Sequence, residues 1–297
     1  MCHAARLDMR TVIVGTSGQL ATELHRQGDG LQLQPAQKVD VADESAVRVL
    51  LDEARPSLVI NAAAYTAVDR AEQERDRAFA VNANGPRYLA RWCAANGAAL
   101  IHVSTDYVFD GTKPSAYVED DAVGPINVYG ESKLAGEVAI REELAQHLIL
   151  RTSWVFSAHG QNFVKTIRRL AAERDELRII ADQHGCPTSA ADLAGAIVRV
   201  VRERLRGDAA VAWGTYHLAN AEPTTWHGFA QAIVELGARQ TSRRPLVHAI
   251  PATEYPTPAK RPANSVLDTG QFETTFGFGL RPFRLALLDV MNELQGP

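Results

Sequence analysis

Two residues four apart, Tyr129 and Lys133, carry the pattern most directly readable as chemistry. On a helix, positions i and i+4 share a face, so the pair sets an ammonium beside a phenol. A neighbouring positive charge favours the phenolate and lowers a phenol from its reference value of ~10. A phenol tuned towards neutrality is a usable general acid. The same spacing recurs by chance on solvated helix faces, so its weight comes from its surroundings. Ser104-Thr105-Asp106 closes an apolar run upstream, at a spacing that could place a hydroxyl beside the phenol. Near the start of the chain, Gly15-Thr16-Ser17-Gly18-Gln19-Leu20-Ala21 follows another apolar run. Glycines there let the backbone turn tightly and approach a pyrophosphate, which then sits on the free N–H groups of a helix N-terminus. The spacing is Gly-x-x-Gly-x-x-Ala, and its place between a strand and a helix is what points to a dinucleotide. Asn61-Ala62-Ala63-Ala64-Tyr65 ends a further run of strand type. Small residues at that end of a parallel strand leave room for a ligand, with a tight packing corner as the equal alternative.

The elements that must position these residues alternate. Residues 11–15, 31–34, 58–60, 100–104 and 148–151 read as strands, the second weakly, and residues 19–27, 44–54, 75–96 and 126–143 read as helices. Such alternation over some 150 residues means βαβ units and a parallel sheet. In the second half, 178–181 and 216–218 read as strands and 192–205 and 226–236 as helices. The proline-rich stretch 245–262 reads as an ordered loop or cap rather than sheet.

Composition excludes several classes. The chain has 297 residues, 46% hydrophobic and 22% charged, which is ordinary for a folded protein with a sizeable core. Its net charge of −4 gives no electrostatic footprint for nucleic acid and no polybasic signal for a membrane. Cys2, Cys93 and Cys186 are too few and too scattered for a disulfide framework or a cysteine zinc site. No apolar run reaches the ~18 residues of a membrane helix. Residues 1–8 lack the apolar stretch of a signal peptide, so the expected address is the cytoplasm. The first strand begins near Met9, itself a potential initiator, and the first eight residues are expected to be dispensable.

Together these motifs resemble the extended short-chain dehydrogenase/reductases and, more narrowly, the dTDP-4-dehydrorhamnose reductase family. The likeness covers nearly the whole chain. Its most specific parts are Ser104-Thr105-Asp106-Tyr107-Val108-Phe109-Asp110-Gly111, the Asp182-Gln183-His184-Gly185-Cys186-Pro187-Thr188 run and Arg261-Pro262-Ala263-Asn264-Ser265. The resemblance implies an α/β fold, a Rossmann-type doubly wound parallel sheet with a smaller C-terminal substrate-binding lobe. The NAD(P)-binding part is expected over 1–152, with segments of about 178–220 returning to it, and the substrate-binding lobe mainly over 153–297. It further implies NADPH or NADH as cofactor, held by Gly15, Ser17, Gly18, Gln19, Leu20, Asp40, Val41, Ala62, Ala63, Ala64, Tyr65, Tyr129 and Lys133. Asp40 and Val41 are expected against the adenine. Tyr129 would be the proton donor to the sugar's C4 oxygen. Lys133 would hold the nicotinamide ribose and lower the Tyr129 pKa, and Thr105 would hydrogen-bond the reacting oxygen. Val68, Thr105, Asp106, Tyr107 and Trp154 would line the nucleotide-sugar site. The implied reaction is reduction of the C4 keto group of dTDP-4-dehydro-L-rhamnose. An epimerase or dehydratase of the same fold, recycling a tightly held NAD, is the rival within the fold. A non-catalytic dinucleotide-binding regulatory subunit is the rival outside it, and intact Thr105, Tyr129 and Lys133 argue for catalysis. A homodimer stays open. Some relatives bind Mg2+ through carboxylates at a dimer contact, but no residue here matches those ligands, and the role of Glu293 stays undecided.

Other residues read as structural. His102 lies inside a strand and reads as a satisfied core histidine, Trp226 as core, and Arg202, Arg204 and Arg206 as a solvated helix face. About twenty residues after Gly15, Gln32-Leu33-Gln34-Pro35 lacks the carboxylate with which NAD-preferring enzymes clamp the ribose hydroxyls. Lys38, just beyond, could meet a 2′-phosphate as a point charge. Neither contact is strong, so both cofactors should work, with NADPH ahead by tens-fold at most, since each tenfold requires ~1.4 kcal/mol. Specificity constants for the two cofactors check this. A preference for NADH above about a hundredfold would reveal an acidic clamp, with Asp40 the first candidate.

Overall fold

The computed structural model describes residues 9–28, 31–33, 38–205, 211–241 and 244–295. Residues 1–8, the Gln34-Pro35 pair and Arg206 lie outside the described residues. The first lobe runs β1 (Arg10–Val14), α1 (Gln19–Gln27), β2 (Gln32–Leu33), α2 (Glu44–Ala54), β3 (Leu58–Asn61), α3 (Val68–Ala71), α4 (Arg75–Phe79), α5 (Gly85–Asn96), β4 (Ala99–Thr105), α6 (Val128–Glu143) and β5 (His147–Thr152). The chain continues through β6 (Val155–Phe156), α7 (Phe163–Glu173), β7 (Glu176–Ile180), β8 (His184–Gly185) and β9 (Thr188–Ser189). Next come α8 (Ala190–Val200), β10 (Gly214–His217), β11 (Thr224–Thr225), α9 (Trp226–Thr241), β12 (Leu246–Ile250), α10 (Gly270–Phe276) and α11 (Phe283–Glu293). Among the described residues no helix is long and apolar enough to cross a membrane.

Six strands form one parallel sheet in the order β10-β5-β4-β3-β1-β2. Alternate residues face opposite sides, as strand geometry requires. Ile13, Ile60, Ile101 and Leu148 pack under α1, α8 and α10, while Val12, Val14, Val59 and Leu100 pack under α2 and α5. The chain therefore leaves β1 to one face and β3 to the other. A crevice opens between their carboxyl ends, where open α/β sheets bind ligands. Side-chain caps start several helices where the motifs need them. Asp43 accepts from Ser45 N at 2.9 Å and Ala46 N at 3.1 Å to cap α2, and Asn127 accepts from Gly130 N at 2.8 Å to cap α6.

Four readings change. The single helix expected over 75–96 is α4, a π-helical turn at Ala80–Asn84 and then α5, with Pro86 in the first turn of α5. Asn82, in the π turn, hydrogen-bonds the Tyr65 backbone and Ser132 of α6. The helix expected from 126 begins at Val128, because Asn127 is its cap. β7, inside the stretch expected to return to the first sheet, pairs instead with β12 in the second lobe, while α8 and β10 do lie on the main sheet. The stretch 245–262 contains that strand β12, since Pro245 and Pro251 flank it and cost it no ladder donor. The second lobe has its own core of Phe156, Ile167, Leu177, Phe229, Phe283 and Met291.

α6 lies unusually close to the chain that leaves β4. A Cβ added at Gly130 would sit 2.2 Å from Tyr107 O and 2.9 Å from Pro125 Cβ. Gly130→Ala must push the helix carrying Tyr129 away from the Thr105–Tyr107 backbone. It should destabilise the chain by ~1–3 kcal/mol, typical of overpacking, and should lower activity. Thermal unfolding of the variant checks this, and an unchanged midpoint with full activity would refute the close-packing account.

Candidate active site

A cavity of about 590 Å³ opens at the carboxyl ends of β1, β3 and β4 and is closed from the far side by the second lobe. That size suits a small-molecule site. Ser17, Gly18, Gln19 and Leu20 line it at the N-terminus of α1, and Ala62, Ala63, Ala64 and Val68 line it after β3. Thr105, Asp106, Tyr107, Tyr129, Lys133 and Trp154 complete the residues that the sequence had brought forward. Gly15 lies behind this wall. Its φ of +108° lets it turn, and a Cβ there would stand 3.0 Å from Ala63 N. Only a residue without a side chain lets the two backbones meet, and the cradle so formed fits a pyrophosphate at the helix N-terminus.

Tyr65, Asp40 and Val41 are not part of the cavity wall. Tyr65 donates its hydroxyl to Glu74 Oε2 at 2.7 Å, and its backbone is clamped by Asn82, which accepts from Tyr65 N at 2.8 Å and donates to Tyr65 O at 3.0 Å. Asn82 also donates to Ser132 Oγ at 2.9 Å, tying the loop after β3 to α6. Asp40 is exposed and paired with Arg77 at 3.0 Å, and its carboxyl is lowered by the Ala42 N–H and by Arg77. Val41 is buried under Gly85.

At the mouth of β4, Thr105 Oγ1 donates to Asp106 Oδ1 at 3.0 Å, accepts from Tyr107 N at 3.2 Å and is hydrogen-bonded to the Tyr129 hydroxyl. Ser153 Oγ donates to Asp106 Oδ2 at 3.0 Å, and the Ser265 hydroxyl also reaches this carboxylate. The lowering of the phenol expected from Lys133 is not what the structure shows. Burial pushes the Tyr129 phenol up to about 12, and the nearby Asp106 carboxylate adds to this. Lys133 Nζ donates instead to Val103 O at 2.7 Å and lies 3.1 Å from His102 Nε2, and burial lowers its amine to about 8. Desolvation of each charged form is the largest cause of its shift, and neither group acts on the other. Tyr129 thus holds its proton securely at neutral pH.

Several wall residues escaped the sequence reading. Trp226, read as core, stacks on Trp154 with ring centres 3.6 Å apart and planes 8° apart, and both indoles line the cavity. Trp154 does so from a left-handed backbone, φ +47°, unusual for a bulky residue and common at functional sites. Thr152 lines the same cavity, buried, with no partner for its hydroxyl among the described residues. A buried hydroxyl left so costs about 1–3 kcal/mol unless ligand or water meets it. Arg261 grips Asp69 through Nη1 at 3.0 Å and Nη2 at 2.8 Å and lines the wall beside Tyr107. Arg261 stands inside a quoted motif, but Trp226 carries no local signal.

Glu23, His159 and Glu293 bring ligand atoms within 4.8 Å of one another. Arg26 Nη1 stands among them, 3.2 Å from Glu23, 2.8 Å from Glu293 and 2.9 Å from His159 Nε2. A divalent cation would meet that guanidinium, so these residues do not fit Mg2+ as they stand. Cys93 and Cys186 are buried, and burial pushes both thiols up to about 12, so neither is a nucleophile.

A doubly wound parallel sheet, a glycine turn at the first helix and a Tyr-x-x-x-Lys helix beside a Ser-Thr strand end define an NAD(P)-dependent oxidoreductase of the extended short-chain type. The family model of the RmlD substrate binding domain matches residues 9–296. The chain is 46% identical over 276 residues to the dTDP-4-dehydrorhamnose reductase of Sinorhizobium fredii, covering 92% of this chain and 93% of that one. It is 40% identical over 296 residues to that of Escherichia coli K12, covering 96% and 98%. The crystal structure of the Clostridium acetobutylicum dTDP-4-dehydrorhamnose reductase superposes with a TM-score of 0.89 at 36% identity, covering 97% of this chain and 100% of that one. That of the Bacillus anthracis enzyme in complex with NADP gives 0.88 at 35%, covering 96% and 99%. The chain belongs to this family, that of the dTDP-4-dehydrorhamnose reductases.

Asp106 yields a stability prediction. Burial raises its carboxyl from the ordinary 3.8 to about 6, against the hydrogen bonds of Ser265, Thr105 and Ser153. A buried carboxylate so raised destabilises the folded chain at neutral pH by roughly 3 kcal/mol, at 1.36 kcal/mol per pKa unit. Asp106→Asn should therefore unfold at higher temperature at pH 7 while losing activity. The sign follows from proton uptake. Folded wild type binds its proton near pH 6 and the unfolded chain near 3.8, so wild-type stability recovers as pH falls from 7 towards 4. The advantage of the variant should shrink over that window. Melting curves at pH 7 and pH 5 measure it, and a variant less stable at pH 7 would show that the accepted hydrogen bonds dominate.

Proposed function

We propose that this chain reduces the C4 keto group of dTDP-4-dehydro-L-rhamnose to dTDP-L-rhamnose with NADPH, NADH serving less well. The observation that carries the reading is the convergence of Thr105, Tyr129 and Lys133 in one cavity below the glycine turn, with Trp154 facing them from the second lobe. Family membership supports the substrate.

When bound, NADPH supplies the hydride that adds to C4. The residues of the chain supply the rest. Tyr129 delivers its proton to the oxygen that C4 leaves negatively charged. Thr105 turns the proton it otherwise gives to Asp106 towards the same oxygen, a donor aimed where charge develops. Until then Asp106 holds the Thr105 hydroxyl at the cavity through their 3.0 Å bond. Lys133 holds the nicotinamide ribose, and the backbone around Ser17, Gly18, Gln19 and Leu20 takes the pyrophosphate. Ala62, Ala63 and Ala64 leave room for the cofactor above β3. The stacked Trp154, with Val68 and Tyr107, bounds the sugar, and the unpartnered Thr152 hydroxyl takes a polar group of either ligand. Holding both reactants in one geometry supplies much of the rate. The nucleotide-binding part is assigned to the six-stranded lobe and the sugar-binding part mainly to residues 153–297. A cytoplasmic address and a homodimer complete the proposal, on the family resemblance.

The decisive experiment is NADPH consumption with dTDP-4-dehydro-L-rhamnose and identification of the product. Tyr129→Phe removes one oxygen and leaves the packing, so it should bind NADPH normally and lose ~10²–10⁴-fold in turnover, the usual worth of general acid catalysis. A variant within a factor of about two of wild type would remove Tyr129 from the mechanism.

A further inference from the structure

His102 lies on β4 directly behind the cavity wall, fully buried between Asn61 of β3 and Lys133 of α6. Asn61 Nδ2 is 3.0 Å from His102 Nδ1, and Lys133 Nζ is 3.1 Å from His102 Nε2. The orientation of the Asn61 amide is settled by a third contact. Its Oδ1 accepts from the backbone N–H of Ala63 at 3.1 Å, a hydrogen that cannot be turned away. Asn61 Nδ2 therefore presents a donor to His102 Nδ1, which must carry the lone pair. Burial and the neighbouring Lys133 hold the imidazole well below its usual pKa, so it is neutral. Its single proton then sits on Nε2 and points at Lys133. An ammonium has donors only, so two donors would face each other. The contact becomes a hydrogen bond only for the free amine, with Nε2–H donating to Nζ while Nζ donates to Val103 O at 2.7 Å.

We infer that His102 is a positioning residue that holds the unprotonated form of Lys133 back against the sheet and releases it when the amine takes a proton. The protonated amine keeps Val103 O and must seek its other partners on the cavity side, where a ribose would offer hydroxyl oxygens. His102 thereby links proton uptake at Nζ to the availability of the one cationic side chain proposed to hold the cofactor ribose.

The charges around the amine come from several elements. On α6, Tyr129 lies one turn before and Glu137 one turn after, and Glu137 favours the charged amine. Glu137 is itself held by Arg151 of β5 at 2.8 Å, Ser104 of β4 at 2.6 Å and Arg141 at 3.2 Å. At the end of β4, Asp106 is engaged by Thr105 and Ser153. Burial brings the amine down to about 8, so both forms are populated in mildly alkaline solution.

The bearing of this hold on turnover rests on the proposed role of Lys133, while its bearing on the amine does not. The two are separated by reading the amine directly. Full-length enzyme labelled with 13C-lysine is titrated by NMR. The Lys133 Cε signal is assigned by its loss in Lys133→Met and followed beside those of Lys38, Lys113, Lys165 and Lys260. His102→Leu removes a donor from the free amine, so the Lys133 midpoint should rise by about one pH unit, on the order of one hydrogen bond. His102→Gln, whose amide can still donate, should return most of the shift. Asn61→Leu keeps the imidazole and frees its tautomer, and should also raise the midpoint, which keeps the test open if His102→Leu does not fold. A midpoint that stays or falls in these variants overturns the inference, since a fall is what an imidazole accepting from an ammonium would give. The alkaline limb of NADPH oxidation with dTDP-4-dehydro-L-rhamnose is measured alongside. A limb that moves with the NMR midpoint supports the hold and the role of Lys133 together. A moving midpoint with a fixed limb supports the hold and overturns that role.

Discussion

Burial of ionisable groups at the carboxyl end of β4 is the constraint on which the site depends. Asp106, Lys133 and Glu137 are buried and Tyr129 is half-buried, within two turns of helix and one strand end. Each would be expensive alone. Glu137 is held below the usual carboxylate range because Arg151, Ser104 and Arg141 all bond it. Asp106 is met by the hydroxyls of Ser265, Thr105 and Ser153 and by its own backbone N–H, with no cation among the described residues that meet it, so its carboxyl rises instead. Two acids on neighbouring strands and helix thus part company through their partners alone, one as a structural ion-pair member and the other as an orienting acceptor. The same desolvation that raises the Tyr129 phenol makes it a full proton reservoir at neutral pH.

Such burial is possible because the second lobe covers the sheet, and its grip on the first lobe passes through the nucleotide-binding turn. Gln19, the first residue of α1, accepts from Ser157 Oγ at 3.2 Å and from Asn162 Nδ2 at 2.9 Å. Asn162 also caps α7 through Lys165 N. One amide therefore fixes the start of a second-lobe helix to the start of the cofactor helix. Arg26, seven residues on, reaches Glu293 near the end of α11. On the opposite rim Arg261 holds Asp69, Asn127 donates to Lys260 O at 2.8 Å, and Asn264 donates to Lys113 O at 2.8 Å. The motif Arg261-Pro262-Ala263-Asn264-Ser265 acts as a strap across both lobes, with Ser265 reaching the Asp106 carboxylate from it. Individually these exposed or half-exposed bonds are modest; their effect is geometric, since they hold the Trp154 wall opposite Tyr129.

The amino-acid sequence by itself determined the alternation of strand and helix, the parallel sheet, the glycine turn and the Tyr129–Lys133 helix. These follow from periodicity and from local backbone chemistry, which act over a few residues. It also carried family membership, through runs too specific to arise from periodicity. Tertiary structure decided what depends on distant neighbours. Strand β7 joined β12 rather than the main sheet, because pairing partners are chosen by packing and not by the strand's own pattern. Trp226 became a cavity wall because Trp154 happened to lie 3.6 Å away. Lys133 turned to His102 and Val103 O rather than to the phenol, since helical spacing sets which face two side chains share and says nothing of what else that face meets. Above all, charge state was settled by burial. Spacing alone argued for a lowered phenol, but removal from water raises it while Lys133 bonds elsewhere, and enclosure is a property of the folded whole.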